Sequence, residues 1–274
     1  MPDASDIGAE ADLALLIDAA REAGALARTY FGNEPEVWLK GNASPVSEAD
    51  MAVDALLGSR LRAARPDYGW LSEETTDDRS RLSRDRLFVV DPIDGTKVFL
   101  RGGDTWTVSI AVVEHGRPVT GVLYNPVRDE LFTATRGGGA LLNGRPVEAS
   151  PRKGLDGSRA AGPRKYLDRS AFSGVFSEEP LFVGSLAYRF ALVAAGRVDV
   201  AAATPRSHDW DLAAVDLLVH EAGGRLTDLA GDRPVYNRPE LKHPVLAAAA
   251  PGVFDAFVER LARTLSETAG IESR

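Results

Sequence analysis

At roughly 150 residues per domain, the 274 residues of this chain allow one large domain or two smaller ones. The composition, 44% hydrophobic and 26% charged, is average for a globular protein and argues against a disordered or fibrous chain. The formal net charge is -8 and the basic residues are scattered, which argues against a nucleic acid polymer as partner.

The sequence contains no cysteine, which excludes disulfides, thiolate nucleophiles and Cys-ligated zinc. Residues 1–10 are acidic where a secretory signal would be basic. No apolar run approaches the roughly 20 residues that span a bilayer. These features predict a cytoplasmic protein without a membrane partner.

Two helices are predicted in the first part of the chain. Apolar residues recur near a helical period over residues 7–31, which predicts a long amphipathic helix ending at Gly32. Residues 33–46 contain Gly, Pro and Asn and predict an irregular connection. Ser47 is then expected to cap a second helix that runs to about Ala64, with Asp50 in its first turn.

An antiparallel sheet is predicted next. The turns at His115-Gly116 and Asn143-Gly144 have hairpin chemistry, so consecutive strands should pair as a meander. We expect the two helices to cover one face of this sheet. Its strands are predicted at residues 87–90, 106–113, 119–124, 130–134 and 140–142.

After Val147 the pattern changes to strands that alternate with helices, which is typical of a mostly parallel sheet flanked by helices. We therefore expect an α/β architecture with an antiparallel α+β part over residues 1–150, an α/β part over residues 151–274, and a ligand cleft between them. The strands are predicted at 158–161, 181–183, 198–202 and 245–249, and the helices at about 185–195, 211–222 and 251–265.

The sequence Asp-Pro-Ile-Asp-Gly-Thr at residues 91–96 follows directly on a predicted strand, where sites of α/β proteins are commonly built. Its two carboxylates can converge on a hard cation, and Gly95 lets the backbone approach an anion. Thr96 adds a hydroxyl and an N–H group. Taken alone, the hexapeptide is also compatible with a solvated turn.

Further acids strengthen the prediction of a metal site. Glu73 lies upstream in Leu-Ser-Glu-Glu, and Asp211 stands at a predicted helix start. Taken singly, Glu73 could be a solvated loop acid and Asp211 an N-cap. The spacing fails that of an EF-hand loop. A covalent aspartyl-phosphate is disfavoured because its nucleophile would stand at the position of Pro92.

In their order along the chain, these motifs resemble the Mg²⁺-dependent, Li⁺-sensitive phosphatases that include inositol monophosphatase, fructose-1,6-bisphosphatase and 3'(2'),5'-bisphosphate nucleotidase. The resemblance covers most of the chain and implies a layered αβαβα sandwich. It rests on Ser47-Glu48-Ala49-Asp50, Leu71-Ser72-Glu73-Glu74, residues 91–96, Tyr124-Asn125-Pro126, Gly184-Ser185, Trp210-Asp211-Leu212-Ala213-Ala214 and Glu221-Ala222-Gly223-Gly224.

The resemblance also implies a metal-binding set for two or three Mg²⁺ ions per active site. Glu73, Asp91 and the Ile93 carbonyl would hold the first ion, and Asp91, Asp94 and Asp211 the second. Glu73 would help to hold a third ion through water. Such an array polarises phosphoryl oxygens, activates water and stabilises the departing alkoxide.

Other residues are given catalytic or binding roles by the resemblance. Thr96 and Asp50 would orient and deprotonate the attacking water, although Asp50 could instead stabilise a helix N-terminus. The N–H groups of Gly95 and Thr96 would bind phosphate. Ser185 would line the leaving-group pocket or cap a helix. Lys40, just before the Gly-Asn-Ala-Ser-Pro loop, would help to draw phosphate in.

The expected partner is therefore a small phosphorylated metabolite or nucleotide, and the resemblance also implies a homodimer. Arg206 is a further candidate for a second phosphate or a nucleoside, because Arg binds phosphate bidentately. The implied substrate-binding residues are Glu73, Asp94, Gly95, Thr96, Ser185 and Asp211.

The substrate is a separate question. The continuation Lys97-Val98-Phe99 is more similar to bisphosphate nucleotidases, which implies conversion of adenosine 3',5'-bisphosphate to AMP and phosphate. Phosphatases of inositol 1-phosphate, histidinol phosphate or fructose 1,6-bisphosphate stay open, since one fold supports several specificities. A non-catalytic ligand-binding relative would require a lost carboxylate, and none is lost.

Overall fold

The computed structural model describes residues 4–40, 44–168 and 170–272. Residues 41–43, in the loop after Lys40, lie outside these ranges. No helix within them is both long enough and apolar enough to cross a membrane. The α-helices described are α1 (Ala4–Tyr30), α2 (Glu48–Ala64), α3 (Thr96–Leu100), α4 (Arg164–Leu167), α5 (Leu186–Ala194), α6 (Asp209–Glu221) and α7 (Phe254–Glu272).

The strands form a hairpin, a large sheet and a small sheet. The hairpin contains β1 (Val37–Lys40) and β2 (Ser44–Ser47). The large sheet, in the spatial order of the chain, contains β3 (Gly69–Ser72), β4 (Arg86–Asp94), β5 (Thr107–Glu114), β6 (Arg117–Asn125), β7 (Glu130–Thr135), β8 (Gly139–Leu142) and β9 (Arg145–Val147). The small sheet, in the order β10-β11-β13-β12, contains β10 (Ala160–Ala161), β11 (Val200–Ala203), β12 (Arg225–Asp228) and β13 (Leu246–Ala249).

The predicted meander is confirmed, because β4 to β9 each pair antiparallel with the next strand along the chain. At His115-Gly116 both residues have positive φ, as do both residues at Asn143-Gly144, which is the backbone that tight hairpin turns require. β3 pairs parallel with β4 and forms one edge of the sheet.

Three core clusters establish the layers. One cluster joins α1 and α2 to one face of the large sheet. The second joins the opposite face of that sheet to α5 and α6 and to one face of the small sheet. The third packs α7 against the outer face of the small sheet. This is the αβαβα sandwich that the resemblance implies, whereas the division near residue 150 stays a prediction.

The approach of α6 to the large sheet depends on Gly121 in β6. A Cβ atom added at Gly121 would lie 3.0 Å from the carbonyl oxygen of Ala214 in α6. Such a contact would be tighter than ordinary van der Waals packing, so glycine favours this close approach of the helix to the strand. The contact holds the middle of α6, which carries Asp211 in its first turn, against the centre of the sheet.

Two strand predictions are wrong. The small sheet is not mostly parallel, because only β10 and β11 pair in parallel, while β13 pairs antiparallel with both β11 and β12. An alternation of helices and strands does not determine strand direction, and β12 has too few apolar residues to be recognised. No strand forms at 181–183, where Leu181 makes only an isolated bridge to Ala161, and where Leu181 and Phe182 are exposed rather than packed in a sheet.

The connection over residues 33–46 is also more regular than expected, since it contains the hairpin of β1 and β2. Val37, Trp38 and Leu39 are all exposed, so β1 has no buried face and lacks the usual strand alternation. The hairpin leads directly into α2, and Ser47 is the N-cap residue of α2, as predicted.

Candidate active site

Three carboxylates converge at the end of β4 and the start of α6. Asp91 and Asp94 lie on β4, and Asp211 lies in the first turn of α6. One oxygen from each of these side chains lies within 4.8 Å of the others. Among the described residues, this is the group of acids close enough together to hold a metal ion.

A β-bulge brings Asp91 and Asp94 together. Asp91 is paired with Ser109 and Asp94 with Thr107, so three steps along β4 are matched by two along β5. Side chains three positions apart on a regular strand point to opposite faces of the sheet. The extra residue of the bulge re-aims one of them. Pro92 is tolerated within the bulge, where the ladder of backbone hydrogen bonds is interrupted.

The N-terminus of α5 orients Asp94. The Ser185 hydroxyl donates to Asp94 Oδ2, and the backbone N–H of Ala187 donates to the same oxygen at 2.7 Å. The N–H of Leu186 donates to Oδ1 at 3.2 Å. Ser185 also accepts from the Tyr188 N–H at 2.9 Å, so it caps the helix as one interpretation predicted. Its contact with a leaving group stays a prediction.

Gly95 fits a narrow space between these elements. Its φ is 99°, a left-handed value that favours glycine, and an added Cβ would lie 3.3 Å from the backbone of Ser185. Thr96 begins α3 directly after it. The first N–H groups of a helix have no partner within the helix, so they can bind an anion, although phosphate binding here stays a prediction.

The carboxylates are in an environment that disfavours their charge. Burial raises the pKa of Asp91 well above its ordinary value, and the charges of Glu73 and Asp94 raise it further. Burial, followed by the charges of Asp94 and Glu73, does the same for the pKa of Asp211. Burial also raises the pKa of Asp94, although its hydrogen bond from Ser185 acts in the opposite direction.

The donor set fits a hard divalent cation. Asp91 Oδ1 accepts from the Ile93 N–H at 3.1 Å. Asp91 Oδ2 is buried and has no hydrogen-bond partner in the part of the chain that the structure describes. Buried polar atoms are normally paired, so this oxygen requires an additional partner. Carboxylate oxygens are the ligands that Mg²⁺ prefers, and a bound cation would offset the repulsion within the cluster.

Glu73 and Lys40 lie beside the three aspartates. The Glu73 N–H donates to the Val90 carbonyl at 3.2 Å, which extends the pairing of β3 with β4. Burial raises the pKa of Glu73 to about 7, with a smaller rise from the charge of Glu74 and a reduction from Lys40. Lys40 forms an ion pair with Glu74 and lies 4.0 Å from Glu73 Oε1. Its role in attracting phosphate stays a prediction.

The structure also joins Thr96 and Asp50. The Thr96 hydroxyl lies 3.1 Å from Asp50 Oδ1 and 3.1 Å from the Ile93 carbonyl oxygen, and it can donate to either. Asp50 Oδ2 accepts from the Ser47 N–H at 2.8 Å and from its hydroxyl at 2.6 Å. Burial raises the pKa of Asp50, while the hydrogen bonds from Ser47 lower it. Asp50 therefore stabilises the start of α2 with one oxygen and contacts Thr96 with the other.

The sequence profile of the inositol monophosphatase family matches residues 9–267. The chain belongs to the inositol monophosphatase family. It is accordingly a phosphoric monoester hydrolase, and the non-catalytic alternative is set aside. The inositol-1-monophosphatase of Mesorhizobium japonicum is 37% identical over 236 residues, which cover 82% of this chain and 88% of that protein.

Other inositol monophosphatase relatives carry a different name or have known structures. The Nus factor SuhB of Xylella fastidiosa is 36% identical over 232 residues, 79% of this chain and 82% of that protein. The structure of SuhB from Bartonella henselae superimposes with a TM-score of 0.80 at 34% identity, covering 93% of this chain and 98% of that one. The IMPase of Thermotoga maritima gives a TM-score of 0.82 at 28% identity and covers 94% and 98%.

In this member of the inositol monophosphatase family, two residues that were linked to the substrate, Arg206 and Phe99, lie apart from the cluster of three aspartates. Arg206 is exposed, and its backbone N–H donates to the His243 carbonyl at 2.8 Å. No hydrogen bond or ion pair joins its side chain to any described residue, so its role stays a prediction. Phe99 is buried and packs edge-on against Trp106, with ring centroids 4.9 Å apart. It therefore belongs to the core rather than to a substrate pocket.

Asp54 on α2 supports the site but was not among the predicted site residues. Its carboxylate accepts hydrogen bonds from the hydroxyls of Ser72 and Thr75, the second at 2.8 Å. These two residues flank Glu73 on both sides, so Asp54 holds the segment that carries a predicted metal ligand. A signal was present, because Asp54 lies four residues after Asp50 and hence on the same face of the helix.

Proposed function

We propose that this enzyme hydrolyses a small soluble phosphate monoester with Mg²⁺ held by Glu73, Asp91, Asp94 and Asp211. The observation that carries this proposal is the buried, unpartnered Oδ2 of Asp91 among the other acids. The Ile93 carbonyl is proposed as a further ligand. Bound Mg²⁺ supplies the positive charge that stabilises a phosphoryl group during its transfer.

Asp50 and Thr96 are proposed to act on the attacking water. The Thr96 hydroxyl lies within hydrogen-bond distance of Asp50, so the two can hold one water in place, and Asp50 accepts its proton. The water oxygen forms the new bond to phosphorus as the ester bond breaks, and the departing oxygen takes a proton from solvent. The N–H groups of Gly95 and Thr96 hold the phosphate. Because Pro92 stands where an enzyme that forms an aspartyl-phosphate would have its nucleophile, we propose direct attack by water rather than a covalent aspartyl-phosphate.

Inositol 1-phosphate is the first substrate proposed. The support is the name of two relatives, the inositol-1-monophosphatases of Mesorhizobium japonicum and Rhizobium meliloti, because this chain matches 88% and 86% of their length. Histidinol phosphate and fructose 1,6-bisphosphate are alternatives with the same metal chemistry. A relative of equal identity has the name Nus factor SuhB, so overall identity alone does not select a substrate.

Adenosine 3',5'-bisphosphate is the second candidate, and two observations favour it. Lys97 is exposed directly beside Thr96, where a cation could meet a second phosphate. His208 and Trp210 stack in parallel beside Asp211, with ring centroids 4.6 Å apart and both rings only partly buried. Aromatic groups of this kind can pack against a nucleobase. Phe99 no longer supports this candidate, because it lies in the core.

The test is phosphate release from these four compounds with and without Mg²⁺ and Li⁺. Preference for inositol 1-phosphate would support the first proposal, and preference for the bisphosphate nucleotide the second. Asp94→Asn should abolish release, whereas Asp156→Asn, a change at an exposed acid that pairs with Arg260, should leave it unchanged. Release that is independent of Mg²⁺, or full activity of Asp94→Asn, would contradict the mechanism.

A further inference from the structure

We propose that a polar bridge of Asp77, Arg81, Asn237 and Asp209 positions Glu73 relative to Asp211, and thereby sets the affinity of the site for divalent metal. This inference rests on the metal site of the proposed function. The four residues are called the Arg81 bridge below. None of them belongs to the motifs of the site, and they connect two segments that carry proposed metal ligands.

Arg81 is the centre of the bridge and is fully buried. Its Nε and Nη2 donate to the two carboxylate oxygens of Asp77 at 3.0 and 2.8 Å. Its Nη1 donates to Asn237 Oδ1 at 2.7 Å, and Nη2 also donates to the Arg238 carbonyl at 3.1 Å. All three nitrogens are therefore engaged. A guanidinium held in this way imposes a fixed geometry, because removing a partner would leave buried charge uncompensated.

The other end of the bridge lies next to Asp211. Asn237 has a φ of 57°, a left-handed value that Asn tolerates better than most residues, and its N–H donates to Asp209 Oδ2 at 2.9 Å. Asp209 is fully buried, and its Oδ1 lies 2.8 Å from Nε2 of the buried His243. Asp209 is the first residue of α6, two positions before Asp211. Both oxygens of Asp209 are thus fixed, and with them the start of the helix.

Glu73 needs such a support because of its place in the sheet. It follows the last residue of β3, an edge strand that pairs with β4 alone among the described strands. Asp77 lies four residues further along the same segment, and its contact with Arg81 connects this segment, through Asn237 and Asp209, to the start of α6. Mg²⁺ requires oxygen ligands in a nearly ideal octahedral arrangement. A small change in the separation of Glu73 and Asp211 should therefore weaken binding.

Two substitutions interrupt the bridge without a large change in the backbone. The first also keeps most of the side-chain volume, whereas the second removes a side chain that is only partly buried. Arg81→Lys keeps the positive charge but cannot contact Asp77 and Asn237 together. Asn237→Gly removes the side-chain contact with Arg81, while glycine keeps the positive φ and the N–H that contacts Asp209. Arg159→Lys is the matched control. Arg159 likewise contacts both oxygens of an aspartate, the buried Asp199, but among the described residues no contact connects Arg159 or Asp199 to the acidic cluster.

The experiment is a titration of the full chain with Mn²⁺ followed by electron paramagnetic resonance, at a temperature where each variant is folded. We expect Arg81→Lys and Asn237→Gly to bind Mn²⁺ roughly 10- to 100-fold more weakly, as found for residues that orient metal ligands. Hydrolysis by these variants should recover as the Mg²⁺ concentration is raised. Arg159→Lys should lower the melting temperature without changing Mn²⁺ affinity.

The outcomes separate the bridge from the metal site itself. If the unmodified chain binds Mn²⁺ but both bridge variants bind it equally well, to within about twofold, the bridge has only a structural role and the inference is wrong. If the unmodified chain binds no Mn²⁺, the proposed metal site is wrong and the inference falls with it. Should Arg81→Lys fail to fold, Asn237→Gly decides the question alone.

Discussion

The hydroxyl of Ser185 donates a hydrogen bond to Oδ2 of Asp94, although the two residues lie 91 positions apart in the sequence. The same hydroxyl accepts from the N–H of Tyr188 and so caps α5. Together with the N–H groups of Leu186 and Ala187, it surrounds Asp94 with donors at the positive end of a helix. One serine therefore serves both the stability of α5 and the orientation of a proposed metal ligand.

Ser185→Ala should affect stability and metal binding together. Loss of an N-cap lowers the free energy of unfolding by about 1 to 2 kcal/mol, which can be measured by chemical denaturation. Loss of a donor to Asp94 should also weaken Mg²⁺ binding, measured by calorimetric titration. Ser83→Ala is the control, because that exposed hydroxyl donates to the Ser80 carbonyl and to no other group in the described part of the chain. A destabilised variant with unaltered Mg²⁺ affinity would show that Ser185 acts only as a cap.

Asp91→Asn should make the protein more stable without metal and inactive with it. Burial and the charges of Glu73 and Asp94 raise the pKa of Asp91, so an ionised Asp91 destabilises the metal-free fold near neutral pH. The neutral amide removes this repulsion and also removes a ligand. Melting curves in EDTA and in Mg²⁺ measure both effects. The melting temperature in EDTA should be higher than that of the parent, and the rise in melting temperature that Mg²⁺ causes should vanish. A lower melting temperature in EDTA would contradict the argument.

Stability of the metal-free protein should fall as the pH rises from about 4.5 to about 7. Burial raises the pKa of Glu73 from its ordinary 4.5 to about 7, so the protonated form is favoured in the folded chain. The stability linked to this group is complete below its unfolded pKa and is lost as the pH rises through the folded pKa. Mg²⁺ binds the deprotonated form, so the rise in melting temperature that it causes should grow from about pH 6 to about pH 8.

Glu73→Gln tests the source of that pH dependence. The amide does not titrate, so the metal-free variant should lose less stability than the parent as the pH rises from about 4.5 to about 7. An exposed acid provides the control, because Asp18→Asn changes the net charge equally at a position far more accessible to solvent. A pH dependence as steep in Glu73→Gln as in the parent would assign the effect to the other acids of the cluster.

Gly95→Ala should reduce both stability and hydrolysis. An alanine there would have a positive φ, which costs about 1 to 2 kcal/mol, and its Cβ would press on the backbone of Ser185 at 3.3 Å. Gly137→Ala separates the two effects, because Gly137 also has a positive φ but has open space around it. Gly137→Ala should lose only the stability that a positive φ costs an alanine, and it should keep its activity. Equal losses in the two variants would show that contact with Ser185 is unimportant.

The sequence predicted most of the first part of the chain because its signals are local. The hairpin turns at His115 and Asn143 determine which strands pair, and Ser47 marks the start of α2. Family resemblance added the αβαβα order of layers. Strand direction in the small sheet was not predictable in this way, since β12 pairs with β13 only after a long connection through residues 229–245. Such pairing depends on packing rather than on nearby residues.

The sequence predicted that Asp91 and Asp94 can converge on a metal ion, but it did not predict the bulge in β4 that brings them together. Asp91 and Asp94 would point to opposite faces of a regular strand, and only the bulge at Pro92 re-aims them. Likewise, Arg81 and Asn237 are 156 positions apart and lie outside any motif, so nothing local indicates their contact. Asp54 differs from these residues, because its helical spacing from Asp50 was visible in the sequence although it was not among the predicted site residues.

Because α5 and α6 form the middle layer, the active site depends on residues from both parts of the chain. Asp91 and Asp94 come from the first 150 residues, but α5 orients Asp94 and α6 supplies Asp211. Neither piece of a chain cleaved near residue 150 would possess a complete site. Hydrolysis should therefore be absent from each purified fragment and return only when the two fragments reassociate, with a rate that depends on the concentration of both.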